Sequence, residues 1–261
     1  MTAARSGTLF QYRIADGVAT VTMDNPPVNA MSDAWVAGFH ALLDTLTARD
    51  DWSVLHLRSA LRIFCAGAEL KEMQERFDAP DGVSRQMAVI EGYQALLARI
   101  EALPRVTLAE IGGAALGGGL ELALACDLRI AGHAATLGLP EVGLGLLPGA
   151  GGTQRLTRLC GAGVATRLIL AAETVKGETA ERLGLVQWSV PAADLEVTAA
   201  NTSRRYAALP GHAVAAAKRC IAIARDGSGD GFRAELTEVE ALLHTERTRE
   251  LIRAFLSRAA R

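Results

Sequence analysis

Cysteine is scarce in this chain of 261 residues. Cys65, Cys126, Cys160 and Cys220 are scattered, with no C-x-x-C pair and no histidine at metal-ligand spacing. No metal centre and no disulfide framework is expected, and the four read as buried free thiols of a reducing compartment. Long apolar runs are missing as well, so no membrane helix is expected. Met1 to Gly7 leads into polar residues rather than the apolar core of a secretory signal, which makes the cytoplasm the default location. Nor does one sign of charge dominate: 27 Lys and Arg against 29 Asp and Glu leave a net charge of -2. No global field therefore draws the chain toward nucleic acid or an anionic membrane.

Several catalytic signatures are also absent. Lys176-Gly177 is the wrong order for a nucleotide P-loop, and the glycines around Gly112, Gly117, Gly149 and Gly161 do not complete G-x-G-x-x-G. G-x-S-x-G and H-E-x-x-H do not occur, which removes the commonest serine-hydrolase and zinc-protease readings. The five histidines are solitary and read as surface or core residues.

What is present is a chain that is 50% hydrophobic and 21% charged, long enough to bury a substantial core. Phe10–Ile14 and Val18–Met23 read as strands flanking an Asp16-Gly17 hairpin turn. From Ser32, a plausible N-cap, to about Ala48 the apolar residues recur at helical spacing. A strand over Trp52–Leu57 and a helix over Gly67–Phe77 follow. The cluster Asp78 to Gly82 reads as a surface loop, and Met87–Leu103 as an amphipathic helix. Next come a strand over Val106–Ile111, a glycine segment, a helix over Leu120–Ala125 and a strand over Leu128–Ala131. Strand and helix alternate with short connections, which favours an α/β architecture. After Pro191 helices dominate, with apolar periodicity over Gly211–Ala224 and Phe232–Leu256. Such a tail buries its stripe either on its own core or in an oligomer contact. The expected division is 1–195 for the α/β body and 196–261 for the helical part.

The chemistry concentrates in glycines and carboxylates. Gly117-Gly118-Gly119-Leu120-Glu121 opens a helix whose first amides are unpaired and lie at the positive end of its dipole. Glu121, three residues after Gly118, falls on the same side of that first turn. A second break from strand to helix, Ala66-Gly67-Ala68-Glu69, again leaves amides free. Two such turns, at Ala68 and Gly118, could converge on one oxygen and stabilise an enolate. Each glycine turn taken alone reads more simply as tight packing or a C-cap. Glu121 alone is a dipole-favoured first-turn acid, and Glu141 alone a loop charge. Their apolar neighbours, Leu120, Leu122, Pro140 and Val142, argue instead for limited solvation and raised pKa values suited to proton transfer.

At these residues the chain resembles the enoyl-CoA hydratase/isomerase, or crotonase, superfamily over nearly its whole length. The first fingerprint resembles Ala66-Gly67-Ala68-Glu69-Leu70-Lys71-Glu72-Met73. The second is similar to Gly112 through Ala123, with Cys126-Asp127 after it, and the third to Pro140 through Leu156. The resemblance implies a spiral of repeated strand-strand-helix turns with a C-terminal helical segment used in trimer contacts, and often a dimer of trimers. It implies an acyl-CoA thioester as substrate, coenzyme A being part of that substrate and no separate cofactor. It assigns the oxyanion-hole amides to Ala68 and Gly118 and the acid/base pair to Glu121 and Glu141. Substrate-binding positions follow at Ala30, Ala66, Gly67, Glu69, Leu70, Lys71, Gly117, Pro140 and Gly149. Asn25 to Ala30 resembles the early loop on the pantetheine and nucleotide side, and Lys71 sits where a cation could face the CoA phosphates.

The chain departs from the family pattern at Gly112, where Asn is common, at Glu110, where a small apolar residue is usual, and at Glu69, where Asp is more frequent. It also ends at Ser257-Arg258-Ala259-Ala260-Arg261, short of the Lys-rich tail of many members. Having both glutamates favours hydration of a 2-enoyl-CoA to a 3-hydroxyacyl-CoA. A Δ3,Δ2-enoyl-CoA isomerase, which can work with one acid/base residue, is the alternative. A non-catalytic binding or scaffold member, including one that binds RNA through a cluster such as Arg155, Arg158 and Arg167, ranks below both. The floor of the acyl pocket is expected around Phe77 to Leu97.

Overall fold

The computed structural model describes residues 9–259. The N-terminal stretch read as unlike a secretory signal, and the last two residues, Ala260 and Arg261, lie outside the described residues.

The hairpin forms as the Asp-Gly pair dictates. β1 (Phe10–Ala15) and β2 (Val18–Met23) pair antiparallel, and both turn residues take positive φ, 52° at Asp16 and 73° at Gly17. Such a turn matches the right-handed twist of the flanking strands. β2 then starts a parallel series with β3 (Val54–Ser59), β4 (Val106–Ile111), β6 (Leu128–Gly132) and β9 (Trp188–Val190), giving a six-stranded sheet in the order β1-β2-β3-β4-β6-β9. A second sheet holds β5 (Ala115–Leu116), β7 (Thr136–Gly138) and β8 (Thr174–Lys176) in the order β5-β7-β8.

Helices fill the connections. α1 (Asp33–Thr47) is capped as expected, Ser32 Oγ accepting from Trp35 N at 3.1 Å. It buries Trp35, Phe39, Leu43 and Leu46, and Phe10 meets Trp35 and Phe39 with ring centroids 5.1 and 5.0 Å away. Each such side chain contributes about 1.5–3 kcal/mol by leaving water. α2 (Leu70–Phe77) starts behind Glu69, whose side chain accepts from Lys71 N.

α3 (Gly82–Glu101) begins five residues before the expected start. Its first turn exposes Val83, so apolar periodicity is silent there, and the Asp78–Gly82 cluster is the helix entry rather than a longer loop. α4 (Gly118–Leu124) and α5 (Gly152–Leu170), the latter kinked at Gly161, enclose the one-turn 3-10 helix Pro140–Leu144. α6 (Gly177–Arg182) and α7 (Leu195–Ala207) complete the body.

The main sheet has two different faces. Leu55, Leu57, Ala109 and Ile111 join the large core with α1, α3 and α4. Leu108 and Ile130 pack instead with Leu195 and Ala199 of α7. On the α7 side Glu110 is buried, 2.9 Å from His56 Nε2, and Arg58 bonds Glu196 at 2.7 Å. This hydrogen-bonded pair accounts for the departure at Glu110, which lies on the side opposite α4. At the end of α4 the guanidinium of Arg129, itself 2% exposed, donates to the carbonyls of Ala123, Cys126 and Leu185 at 3.1, 2.6 and 2.9 Å. A buried cation supplies the donors that the last helical turn needs.

Two compact units are present, one ending at Ala208 and the other starting at Leu209. α7 therefore belongs with the sheet, and the separate helical part is shorter than the 196–261 read from the sequence. That part holds α8 (Gly211–Asp226), α9 (Gly231–Leu243) and α10 (Glu246–Ala259). The periodicity over Phe232–Leu256 is thus broken in the middle. Thr245 ends one helix and starts the next, its Oγ1 accepting from Thr248 N at 3.3 Å. No helix of the described residues is long and apolar enough to cross a membrane.

Candidate active site

The two glycine turns meet. Met31 N donates to Gly67 O at 2.8 Å and Glu69 N to Met31 O at 3.4 Å, a parallel bridge that pairs Met31 with Ala68. In this pattern both bonds come from the residues flanking Ala68, so the Ala68 N–H points to the opposite side of the strand. Gly118 is the first residue of α4, where an amide has no intrahelical acceptor. Neither amide is engaged by a backbone carbonyl among the described residues. The turns touch: a methyl group at Gly118 would stand 3.6 Å from Ala68 N, and one at Gly67 would stand 3.1 Å from Gly118 N. Gly67 also has φ 101°, so the approach depends on glycine there.

Behind the turns the fit is closer still. A methyl group at Gly119 would lie 2.1 Å from Cys65 O, so α4 rests directly on the bridged segment at Cys65 that leads into the first turn. Phe64 N donates to Ala114 O at 2.9 Å and Leu116 N to Cys65 O at 3.0 Å, which sets the register between them. Burial pushes the Cys65 thiol up to about 12. It stays a neutral packing group, donating to Asn29 O.

Both glutamates lie at this junction. Glu121 is 3% exposed, and its Oε1 accepts from Gly152 N at 2.7 Å. Burial raises its pKa to about 7; the Gly152 and Ala150 amides and Arg155 oppose that rise, and Glu141 adds to it. Glu141, in the 3-10 turn that Pro140 opens, is half-buried and also raised by burial. Its Oε2 is buried without a hydrogen-bond partner, while a methyl group at Gly117 would sit 3.0 Å from its Oε1. The expected limited solvation of both acids is therefore what the fold provides.

Of the other expected positions, Gly67, Gly117, Pro140 and Gly149 lie on segments adjoining these turns. Ala30 is buried next to Met31, with Asn25 Nδ2 donating to its carbonyl at 2.9 Å. Ala66 is exposed, and its amide donates to Val28 O at 3.0 Å. Glu69 serves as the α2 cap. Leu70 and Lys71 are exposed on the first turn of α2. Of the basic cluster, Arg155 pairs with Glu101 at 3.0 Å and Arg167 with Glu173 at 2.5 Å. Those charges are already matched by carboxylates rather than left to bind phosphates.

Several supporting residues gave no sequence signal. The Tyr93 hydroxyl donates to Met31 O and so steadies the bridge to Ala68. Asn29, buried with φ 53°, donates to Phe64 O at 2.9 Å and Ser59 Oγ at 2.8 Å, fixing the 25–30 loop. An Asn in a loop tolerates that backbone region, which is the only local hint. Gly152 lies inside the third fingerprint, yet nothing in its spacing tells that its amide reaches Glu121.

This architecture, with two sheets and C-terminal helices, is the α/β crotonase fold. It is similar to the crystal structure of an enoyl-CoA hydratase from Bacillus anthracis, with a TM-score of 0.87, 33% identity and coverage of 96% of each chain. Residues 13–260 match the family Enoyl-CoA hydratase/isomerase, and the chain belongs to that family. It is 37% identical over 241 residues to YngF of Bacillus subtilis (strain 168), whose name places it with the enoyl-CoA hydratase/isomerases, with 91% of each chain covered. It is also 42% identical over 176 residues to the Bos taurus "Enoyl-CoA hydratase domain-containing protein 2, mitochondrial". That match takes in 67% of this chain and 58% of the bovine one, so the chain spans little more than half of that relative.

Proposed function

We propose that the chain is an enoyl-CoA hydratase, adding water across the 2,3 double bond of a 2-enoyl-CoA thioester to give a 3-hydroxyacyl-CoA. The observation that carries this reading is the meeting of two desolvated carboxyls, Glu121 and Glu141, beside the two unengaged amides of Ala68 and Gly118. The amides receive the thioester oxygen and strengthen their hold as the enolate forms. Water's oxygen bonds to C3 while its proton passes to Glu121, and Glu141 delivers a proton to C2. A proton passing between the two glutamates resets the pair. Like charges at close range disfavour double ionisation, so one proton shared near neutral pH supplies both an acid and a base.

Ala30, Ala66, Gly67, Glu69, Leu70, Gly117, Pro140 and Gly149 line the thioester and pantetheine path, and Lys71 faces the CoA phosphates. The same reading includes a homotrimer or dimer of trimers, supported by exposed Phe232, Leu236 and Val239 on α9 and Phe255 on α10. A reducing cytoplasm fits the four free cysteines.

Turnover of crotonyl-CoA, followed by loss of the conjugated-thioester absorbance, tests the reaction. Wild type is expected to hydrate it and Glu141→Gln to lose on the order of a hundredfold or more. No hydration by wild type, or full activity in the variant, overturns the reading.

A further inference from the structure

Glu121 is carried by α4, but the backbone that holds its carboxylate comes from the turn before α5. Gly152 N donates to Glu121 Oε1 at 2.7 Å. That turn is itself tied down by a side chain. Arg155 Nη1 donates to Ala150 O at 2.8 Å, while Arg155 Nε and Nη2 donate to Glu101 Oε2 at 3.3 and 3.0 Å. Glu101 is the last residue of α3. Two turns earlier on α3, Gln94 Nε2 donates to Gly149 O at 2.7 Å. Both members of the ion pair are largely buried, 12% and 19% exposed, so their charges act through a poorly screening medium.

We propose that Arg155, held by Glu101, is a positioning residue that fixes the Ala150–Gly152 turn against Glu121 and sets the charge that Glu121 experiences. A planar guanidinium suits both tasks, since its fork spends two donors on Glu101 and one on Ala150 O. The groups facing Glu121 are then Glu141 from the 3-10 turn, the Ala150 and Gly152 amides, and Arg155 from α5. Glu101 from α3 acts at one remove by offsetting Arg155. If the ion pair only tied α3 to α5, deleting either member would loosen the site in the same way. The charge role instead requires opposite effects: loss of Arg155 leaves Glu121 harder to ionise, and loss of Glu101 makes it easier.

The test is a 13C NMR titration of protein labelled at the glutamate carboxyls, with the Glu121 resonance assigned by its disappearance in Glu121→Gln. In Arg155→Gln its midpoint is expected to rise, and in Glu101→Gln to fall, each by roughly half a pH unit or more. Arg155→Lys keeps the charge but loses the fork, so its midpoint is expected to rise by less than in Arg155→Gln; it also serves if Arg155→Gln fails to fold. Midpoints that move in the same direction in Arg155→Gln and Glu101→Gln, or not at all, overturn the proposal, as does a midpoint in Arg155→Lys that falls below wild type or rises as far as in Arg155→Gln.

The kinetic counterpart rests on the hydratase reading: on crotonyl-CoA, Arg155→Lys should lower kcat several-fold with KM little changed. An unaltered kcat overturns the positioning role. The titration needs no turnover, so a wild type that fails to hydrate crotonyl-CoA overturns the hydratase reading alone.

Discussion

Replacing Glu121 by Gln removes a titrating proton while leaving an amide oxygen to accept from Gly152. The carboxyl rises from its ordinary value of 4.5 to about 7 because burial disfavours its charge. A group whose folded pKa lies above its unfolded one binds protons more tightly in the fold. Its stabilising contribution is full below about 4.5 and is lost as pH rises through about 7. At about 1.4 kcal/mol per pH unit the whole effect is about 3 kcal/mol. Most of it, about 2–3 kcal/mol, disappears between pH 5 and pH 8. Urea denaturation of wild type and Glu121→Gln at fixed protein concentration across that range therefore yields a difference that tilts against wild type as pH rises. In Glu141→Gln the part of the fall that belongs to Glu121 is smaller and ends at lower pH, because one contributor to the rise is gone. Stability curves that stay parallel, their difference constant within about 0.5 kcal/mol at every pH, would refute the claim that burial raises the Glu121 pKa.

Gly119→Ala drives a methyl group against Cys65 O, a backbone atom that cannot step aside, and is expected to cost about 3 kcal/mol or more in the same denaturation assay. Glu110→Ala strips His56 of its buried partner and should lower stability by about 2–4 kcal/mol. Glu110 faces α7 and not α4, so the pH profile of crotonyl-CoA hydration is expected to be unchanged in material that folds. Light scattering at the exit of a sizing column should give three or six times the 27.5 kDa chain mass; a monomer would remove the trimer from the proposal.

Much of the fold was legible because its signals are local. Asp16-Gly17 specifies its turn, Ser32 its cap, and the mostly apolar stretch Val106–Ile111 its buried strand. Glu121 and the Gly118 amide were readable for the same reason, lying within one helical turn. What escaped depends on partners distant in the chain. The Gly152 amide and Glu121 are 31 residues apart, and Tyr93 and Met31 are 62 apart. No periodicity encodes such pairs. The early start of α3 was hidden by exposed first-turn residues, and the break at Thr245 by an apolar stripe that runs through it. The reach of α7 onto the sheet escaped too, because its small apolar face suits a tail as well as a body.

Arg129 carries a consequence for how the chain is made. The last turn of α4 offers Ala123 and Cys126 carbonyls to a guanidinium that must also find Leu185 O and the Gln187 side chain. Those partners are synthesised more than fifty residues after Arg129. Until residue 187 has been made, the guanidinium beneath the helix bearing Glu121 lacks two of its five acceptors, the others being the carbonyls of Ala123, Cys126 and Asp127. The end of the helix that bears Glu121 is thereby tied to the segment that leads into β9, a stretch of chain made long after the helix itself.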